Sequence, residues 1–236
     1  MSSLNRLGRG VSTLSQRVVF ACLTGVSLLN FSLLIYLEGR VPWGWFLGAS
    51  ATHENLKELG ALTSGLAQTA PWLAVSALFV HGSLVHLLVN LYVLFHVGRL
   101  FNGRFGAPVQ AVFFIVTGIL GNEVSSVWYG QGAPVVGGLS VGSFGLAGAL
   151  VSEFSLSRLT RHRDLVFQTA LSLFVLSALS PINNFAHLVA AGVGFLLAVV
   201  FRKSLLSKDK LGRGKMVGAG FALAVLVLSI ALAAAF

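Results

Sequence analysis

Four polar residues stand in otherwise apolar stretches of this chain: His86, Asn90, Ser140 and His187. They supply a hydroxyl nucleophile, an imidazole base and two hydrogen-bond donors. Those are the parts needed to attack a carbonyl, move a proton and hold the oxyanion that forms. A polar or ionisable side chain at membrane depth is costly and by default marks a functional position. His86 and Asn90 are four apart, so on a helix they share a face. The set is the inventory of a serine hydrolase working inside a bilayer, provided the segments that carry the four bring them to one depth.

Those segments are membrane spans by composition. Apolar residues make up 56% of the chain and charged residues only 10%, which excludes an ordinary water-soluble enzyme surface. Several apolar stretches approach or exceed the roughly 20 residues that cross a hydrocarbon core as helix. We read seven, at about 18–37, 82–101, 107–128, 140–156, 165–181, 184–201 and 216–236. They lack the apolar/polar alternation of barrel strands, so the expected fold is an all-α polytopic membrane protein. The first stretch follows Arg6, Arg9 and Arg17 but is too long for a signal peptide, and no small-x-small cleavage site follows it. Cys22 is the single cysteine, so no internal disulfide forms.

Charge sets the threading. With the N-terminus in the cytoplasm and seven spans, all of the 16 Lys and Arg except Arg40 and Lys57 fall on the cytoplasmic side. The net charge of +9 is explained by that bias and needs no nucleic acid. Residues 1–17 are expected to be a basic cytoplasmic tail, and 203–215 a basic linker facing anionic lipid headgroups before a seventh span at 216–236. Residues 38–80 are expected to form an outer-surface element. Pro42, Trp43 and Trp45 look like interface anchors, and 54–68 places Leu56, Leu59, Leu62 and Leu66 on one helical face.

In this threading His86, Asn90, Ser140 and His187 all lie toward the outer ends of their spans. Ser140 and His187 are within about 10 Å of that end at 1.5 Å per residue. Small residues recur on the two dyad-bearing spans, at Gly138, Gly142, Gly145 and Gly148, and at Ala186, Ala190, Gly194 and Ala198. Such faces let transmembrane backbones approach closely, as a Ser–His hydrogen bond requires. Phe144, one turn below Ser140, is placed to pack on the His187 ring.

These motifs together resemble the rhomboid intramembrane serine proteases. The second-span pattern His-x4-His-x3-Asn is present as His81, His86 and Asn90. The nucleophile motif is present in altered form as Gly138-Leu139-Ser140-Val141, and the sixth-span Ala-His followed by small residues as AHLVAAGVG around His187. The resemblance runs from about 18 to 202 and implies a rhomboid six-helix core with one further C-terminal span. It implies Ser140 as nucleophile and His187 as base in a dyad without a carboxylate. It also implies an oxyanion hole from His86, Asn90 and the Ser140 amide, with His81, Phe144 and Val141 as auxiliary positions. No cofactor or metal is implied. The implied partners are membrane lipids and a transmembrane protein substrate, cut within or near the outer end of its span. The expected location is a bacterial cytoplasmic (inner) membrane, and no oligomeric state is assigned.

The chain departs from the pattern at four places. Val141 stands where a Gly usually follows the nucleophile, placing a stiff branched side chain beside it. Leu73 stands for the Arg of a Trp-Arg pair, Asn102 for a Glu closing the second span, and Ala190 for a Gly three residues after the sixth-span His. Other assignments stay open. Ser and Asn in membrane helices often serve as interhelical glue. His81, His86 and His187 would make a metal cluster only if they converged, and His81 and His86, five apart on a helix, would lie about 140° apart. His96 would hydrogen-bond a neighbouring helix, and Glu123 would sit at the outer interface. An inactive rhomboid relative that binds client helices is the principal alternative, with a channel or transporter as the third.

Overall fold

The computed structural model describes residues 3–44, 50–62, 70, 72–129, 137–156 and 184–206. The expected spans at 165–181 and 216–236 lie outside the described residues. Those residues are all-helical: α1 (Ser3–Glu38), α2 (His53–Glu58), α3 (Leu73–Ser76) running into a 3₁₀ turn (Ala77–Phe79), α4 (Leu84–Phe105), α5 (Ala107–Tyr129), α6 (Ser140–Leu156), α7 (Asn184–Val200) and α8 (Arg202–Leu206). Among the described residues three helices are long and apolar enough to cross a membrane, at Arg17–Glu38, Leu84–Phe105 and Ala107–Trp128, and Asn184–Val200 is a shorter apolar one. The protein is an integral membrane protein. The stretch expected as a tail, 1–17, is helical from Ser3 and continuous with the first span.

The helix ends follow local chemistry. Ser83 caps α4, its hydroxyl accepting from the His86 amide at 3.2 Å. The next free amides of α4, those of Leu84 and Val85, donate to the carbonyls of Pro42 and Trp43. The chain at Pro42 and Trp43 thus closes the N-terminus of the helix that carries His86 and Asn90. Gly106, at φ +97°, stops α4, and Pro108 sits in the first turn of α5.

The core lies between α4, α5, α6 and α7. On α4 the inward row is Asn90, Leu94, Val97, Phe101 and Phe105, all buried. Leu88, Tyr92 and Phe95 on the opposite face are exposed, as are Leu188, Leu196 and Val200 on α7. An apolar exposed face of this extent suits contact with lipid. His96 belongs to that exposed face: its ring lies against Tyr92 (centroids 4.3 Å apart) and meets Phe95 edge to face, both on its own helix, rather than reaching a neighbouring helix among the described residues. α6 and α7 cross backbone against backbone. A Cβ on Gly148 would collide with the Ala191 backbone, and one on Gly194 with the Gly145 backbone.

Where it is described, the stretch 38–80, expected as an outer-surface element, differs from expectation in two respects. The helix expected over 54–68 ends at Glu58, because the chain turns at Gly60 with φ +86°. A Cβ there would also meet the Ser76 side chain at 2.6 Å, and the Ser76 hydroxyl donates to the Gly60 carbonyl. Leu62 is buried from non-helical chain, in a small cluster with Ala70, Leu73 and Ala77. Residues 73–80 do not lie wholly on the surface: Ala74, Ala77 and Leu78 are fully buried. Leu78 fills the space beside Gly118 of α5, and Asn122 of α5 donates to the Ala74 carbonyl. The loop is further anchored by Glu38, whose carboxylate accepts from the Thr52 amide and hydroxyl and from the Asn55 amide group at 2.7–2.9 Å. Leu73, which stands where the resembled motif carries an Arg, is a buried apolar contact.

At the far end of the bundle Glu153 of α6 is buried and pairs with Arg104 of α4 and, at 3.3 Å, with Arg202 of α8.

Candidate active site

The N-terminal ends of α4, α6 and α7 meet at one end of the bundle. His86 is in the first turn of α4, Ser140 opens α6, and His187 is in the first turn of α7. Ser140 Oγ and His187 Nε2 are 2.8 Å apart and both residues are buried. For the hydroxyl to donate to Nε2, the imidazole proton sits on Nδ1. Nδ1 is buried and has no partner among the described residues, so the pair stands as a dyad there. The Phe144 ring stacks on the imidazole, centroids 4.4 Å apart and planes 14° from parallel. That contact fixes the ring plane where the missing third member would otherwise orient it.

The two expected donors also converge. His86 Nε2 and Asn90 Nδ2 are buried without partners among the described residues. Orphaned buried polar atoms are rare and costly, so two side by side point to a guest that would satisfy them. Their common target is marked by Gly138, two residues before Ser140. A Cβ there would lie 2.7 Å from Asn90 Nδ2 and 3.0 Å from His86 Nε2. Gly138 has φ +113°, a conformation L side chains rarely adopt, so both backbone and space require glycine.

His81 is brought to the same place by a different route. The expectation that it faces away from His86 assumed one continuous helix. α4 starts only at Leu84, so His81 precedes it in extended chain, and the two rings meet edge to face with centroids 5.1 Å apart. Burial, together with the nearby His86, holds the His81 ring well below the usual histidine range, so it is neutral. Its Nδ1 lies 3.1 Å from the Phe79 carbonyl, and the Leu139 amide donates to its Nε2 at 3.3 Å. Only the Nδ1–H tautomer satisfies both. Both nitrogens are thereby engaged, leaving no lone pair for a metal. Among the described residues no group of His, Cys, Asp or Glu is arranged to hold one.

The segment before the nucleophile is laid on residues 77–81 as on a template. Gly138 N–H donates to the Ala77 carbonyl at 2.7 Å, Gly137 passes so close to Val80 that a Cβ would meet its carbonyl oxygen at 2.6 Å, and Leu139 is held by His81. Sequence reading singled out His81 but not this template, because its glycines look like ordinary loop residues until the opposing backbone is known.

Val141, expected to crowd the nucleophile, is buried in the helix core with its Cγ1 toward Gly121 of α5. Ser143 Oγ bonds back to the Leu139 carbonyl. Glu123, expected at the interface, lies in the last two turns of α5 and is partly buried.

The family described as Rhomboid domain matches residues 68–204. RHOMBOID-like proteins 5 and 7 of Arabidopsis thaliana are each 29% identical, over 152 and 158 residues, covering 62% and 64% of this chain and 49% of each relative. Rhomboid-like protease 3 of Toxoplasma gondii is 25% identical over 141 residues, 57% of this chain and 53% of that protein. The chain thus spans about half the length of the curated relatives it matches. These relatives come from a plant and from Toxoplasma, which lends no support to the expected bacterial cytoplasmic membrane.

Proposed function

The chain belongs to the rhomboid family, and from that premise we propose that it is an intramembrane serine endopeptidase working through a Ser140–His187 dyad. The observation that carries this is the 2.8 Å Ser140–His187 contact, with two unpartnered buried donors gathered at Gly138, two residues before the nucleophile. Ser140 Oγ attacks the scissile carbonyl as His187 Nε2 takes its proton. The carbonyl oxygen, now an anion, is received by His86 Nε2–H, Asn90 Nδ2–H and the Ser140 amide. His187 returns the proton to the leaving amine, and a water activated by the same imidazole releases the acyl-enzyme. One such donor contributes about 3–4 kcal/mol in the transition state. His81 and Phe144 are positioning residues, one holding the chain before the nucleophile and the other the base.

The substrate is a membrane protein cut within or near the outer end of a transmembrane segment, in extended form. Against the alternative, an inactive relative that binds client helices, stands the position of Val141. The departure that most threatened catalysis packs into the helix interface and leaves the dyad hydrogen bond intact. The test is labelling by a fluorophosphonate probe in detergent. Wild-type protein should label and Ser140→Ala should not, and an unlabelled wild type overturns the proposal.

A further inference from the structure

Gly121 lies on the face of α5 that meets both dyad helices. A Cβ on it would stand 2.8 Å from Val141 Cγ1, 2.8 Å from the Ala186 carbonyl oxygen and 3.1 Å from Ala190 Cβ. Val141 directly follows Ser140 on α6. Ala186 precedes His187 on α7, and Ala190 follows it by one turn. All three are buried, Ala186 and Ala190 completely. The absent Cβ of Gly121 is therefore the space that the neighbours of both dyad residues share. Val141 and Ala190 are also two of the positions where this chain carries a larger side chain than the motif it resembles, and both additions are taken up by one glycine.

We infer that Gly121 is a positioning residue for the dyad: a notch on α5 that seats Val141 and Ala190 and so sets the separation of Ser140 from His187. The inference rests on the proposed protease activity only for its kinetic consequence. A serine–imidazole hydrogen bond tolerates a few tenths of an ångström around its 2.8 Å length. Ordinary contact for a new methyl group begins at about 3.4 Å, so a Cβ at Gly121 must displace its neighbours by about half an ångström or more. Val141 is a side chain and can be trimmed. The Ala186 carbonyl is backbone, and moving it moves the helix that carries His187.

Gly121→Ala should therefore lower kcat on a model transmembrane substrate by about 10- to 100-fold while KM changes little, since displacing reacting groups by about 1 Å costs that order in rate. Val141→Ala supplies the control. In the native background it opens a void and should lower the melting temperature. In the Gly121→Ala background it removes one of the collisions and should raise it, with partial recovery of kcat. This reversal of sign is the signature of a shared space. Equal lowering in both backgrounds overturns the notch. Recovery of folded protein from the double variant but not from Gly121→Ala is the same result in another form, and failure of both overturns it. If wild-type protein neither cleaves nor labels, the protease reading fails, and the melting-temperature reversal still decides the notch.

Discussion

Gly138→Ala is the sharpest test of how the donors are used. The substitution adds one methyl group at a position with two separate penalties. The backbone stands at φ +113°, and an L side chain in a left-handed conformation costs roughly 1–2 kcal/mol. The methyl carbon would also lie 2.7 Å from Asn90 Nδ2 and 3.0 Å from His86 Nε2, inside the space both donors face. Either the two side chains retreat or the loop before Ser140 shifts, and in both cases the donors lose their common target. Removal of one oxyanion donor costs about 10²–10³ in kcat. Two displaced together should cost at least 10²-fold. The assay is turnover of a model single-span substrate in liposomes, with fluorophosphonate labelling as a substrate-independent measure and a melting curve to show that the fold is retained. Turnover within tenfold of wild type in a folded Gly138→Ala protein would refute the assignment of His86 and Asn90 to the oxyanion.

The dyad itself should behave as a unit: Ser140→Ala and His187→Ala should each abolish cleavage, and the double variant should be no worse than either in a turnover assay. His81→Phe keeps a ring against His86 but leaves the Leu139 amide buried without an acceptor. Melting should report a loss of about 1–3 kcal/mol, with slower turnover. Glu153→Gln should weaken the joint with Arg104 and Arg202 by about 1–2 kcal/mol, since both arginines are partly exposed and can turn to solvent or headgroups. In the expected threading, a reporter fused after residue 210 should be cytoplasmic and one after Phe236 external, and accessibility labelling of the two fusions checks it.

Much of the site was legible because the decisive signals are local. Hydrophobic runs placed α4, α5, α6 and α7 within a few residues of their ends, and the four-residue spacing of His86 and Asn90 put them on one face. Helical arithmetic failed where the helix was absent. It continued α2 past Glu58 to Leu62 because leucine spacing cannot register that Gly60 turns the chain; Leu66 lies outside the described residues. It separated His81 from His86 by assuming one continuous helix, whereas Ser83 caps the helix between them. The remaining features depend on segments distant in sequence. Gly121 and Gly138 are defined by what faces them, and nothing near Glu38 announces that Thr52 and Asn55 will close on it. The reach of residues 73–80 into the bundle was equally hidden, since it depends on Gly118 and Asn122 of α5.

The Glu153 ion cluster also serves as a ruler. Arg104 and Arg202 carry guanidinium groups that favour the level of the lipid headgroups, so in the expected threading they mark the cytoplasmic edge of the hydrocarbon. From Glu153 to Ser140 the helix climbs about 20 Å at 1.5 Å per residue. The hydrocarbon is about 30 Å deep. In the proposed orientation the nucleophile is therefore submerged about 10 Å beneath the outer boundary. A substrate helix entering from the side would present to it a bond about two turns inside its own apolar stretch, and the hydrolytic water must descend the same distance. Under the proposed activity the length of α6 then sets the point of cleavage, and a substrate helix has to unwind at that level to be cut.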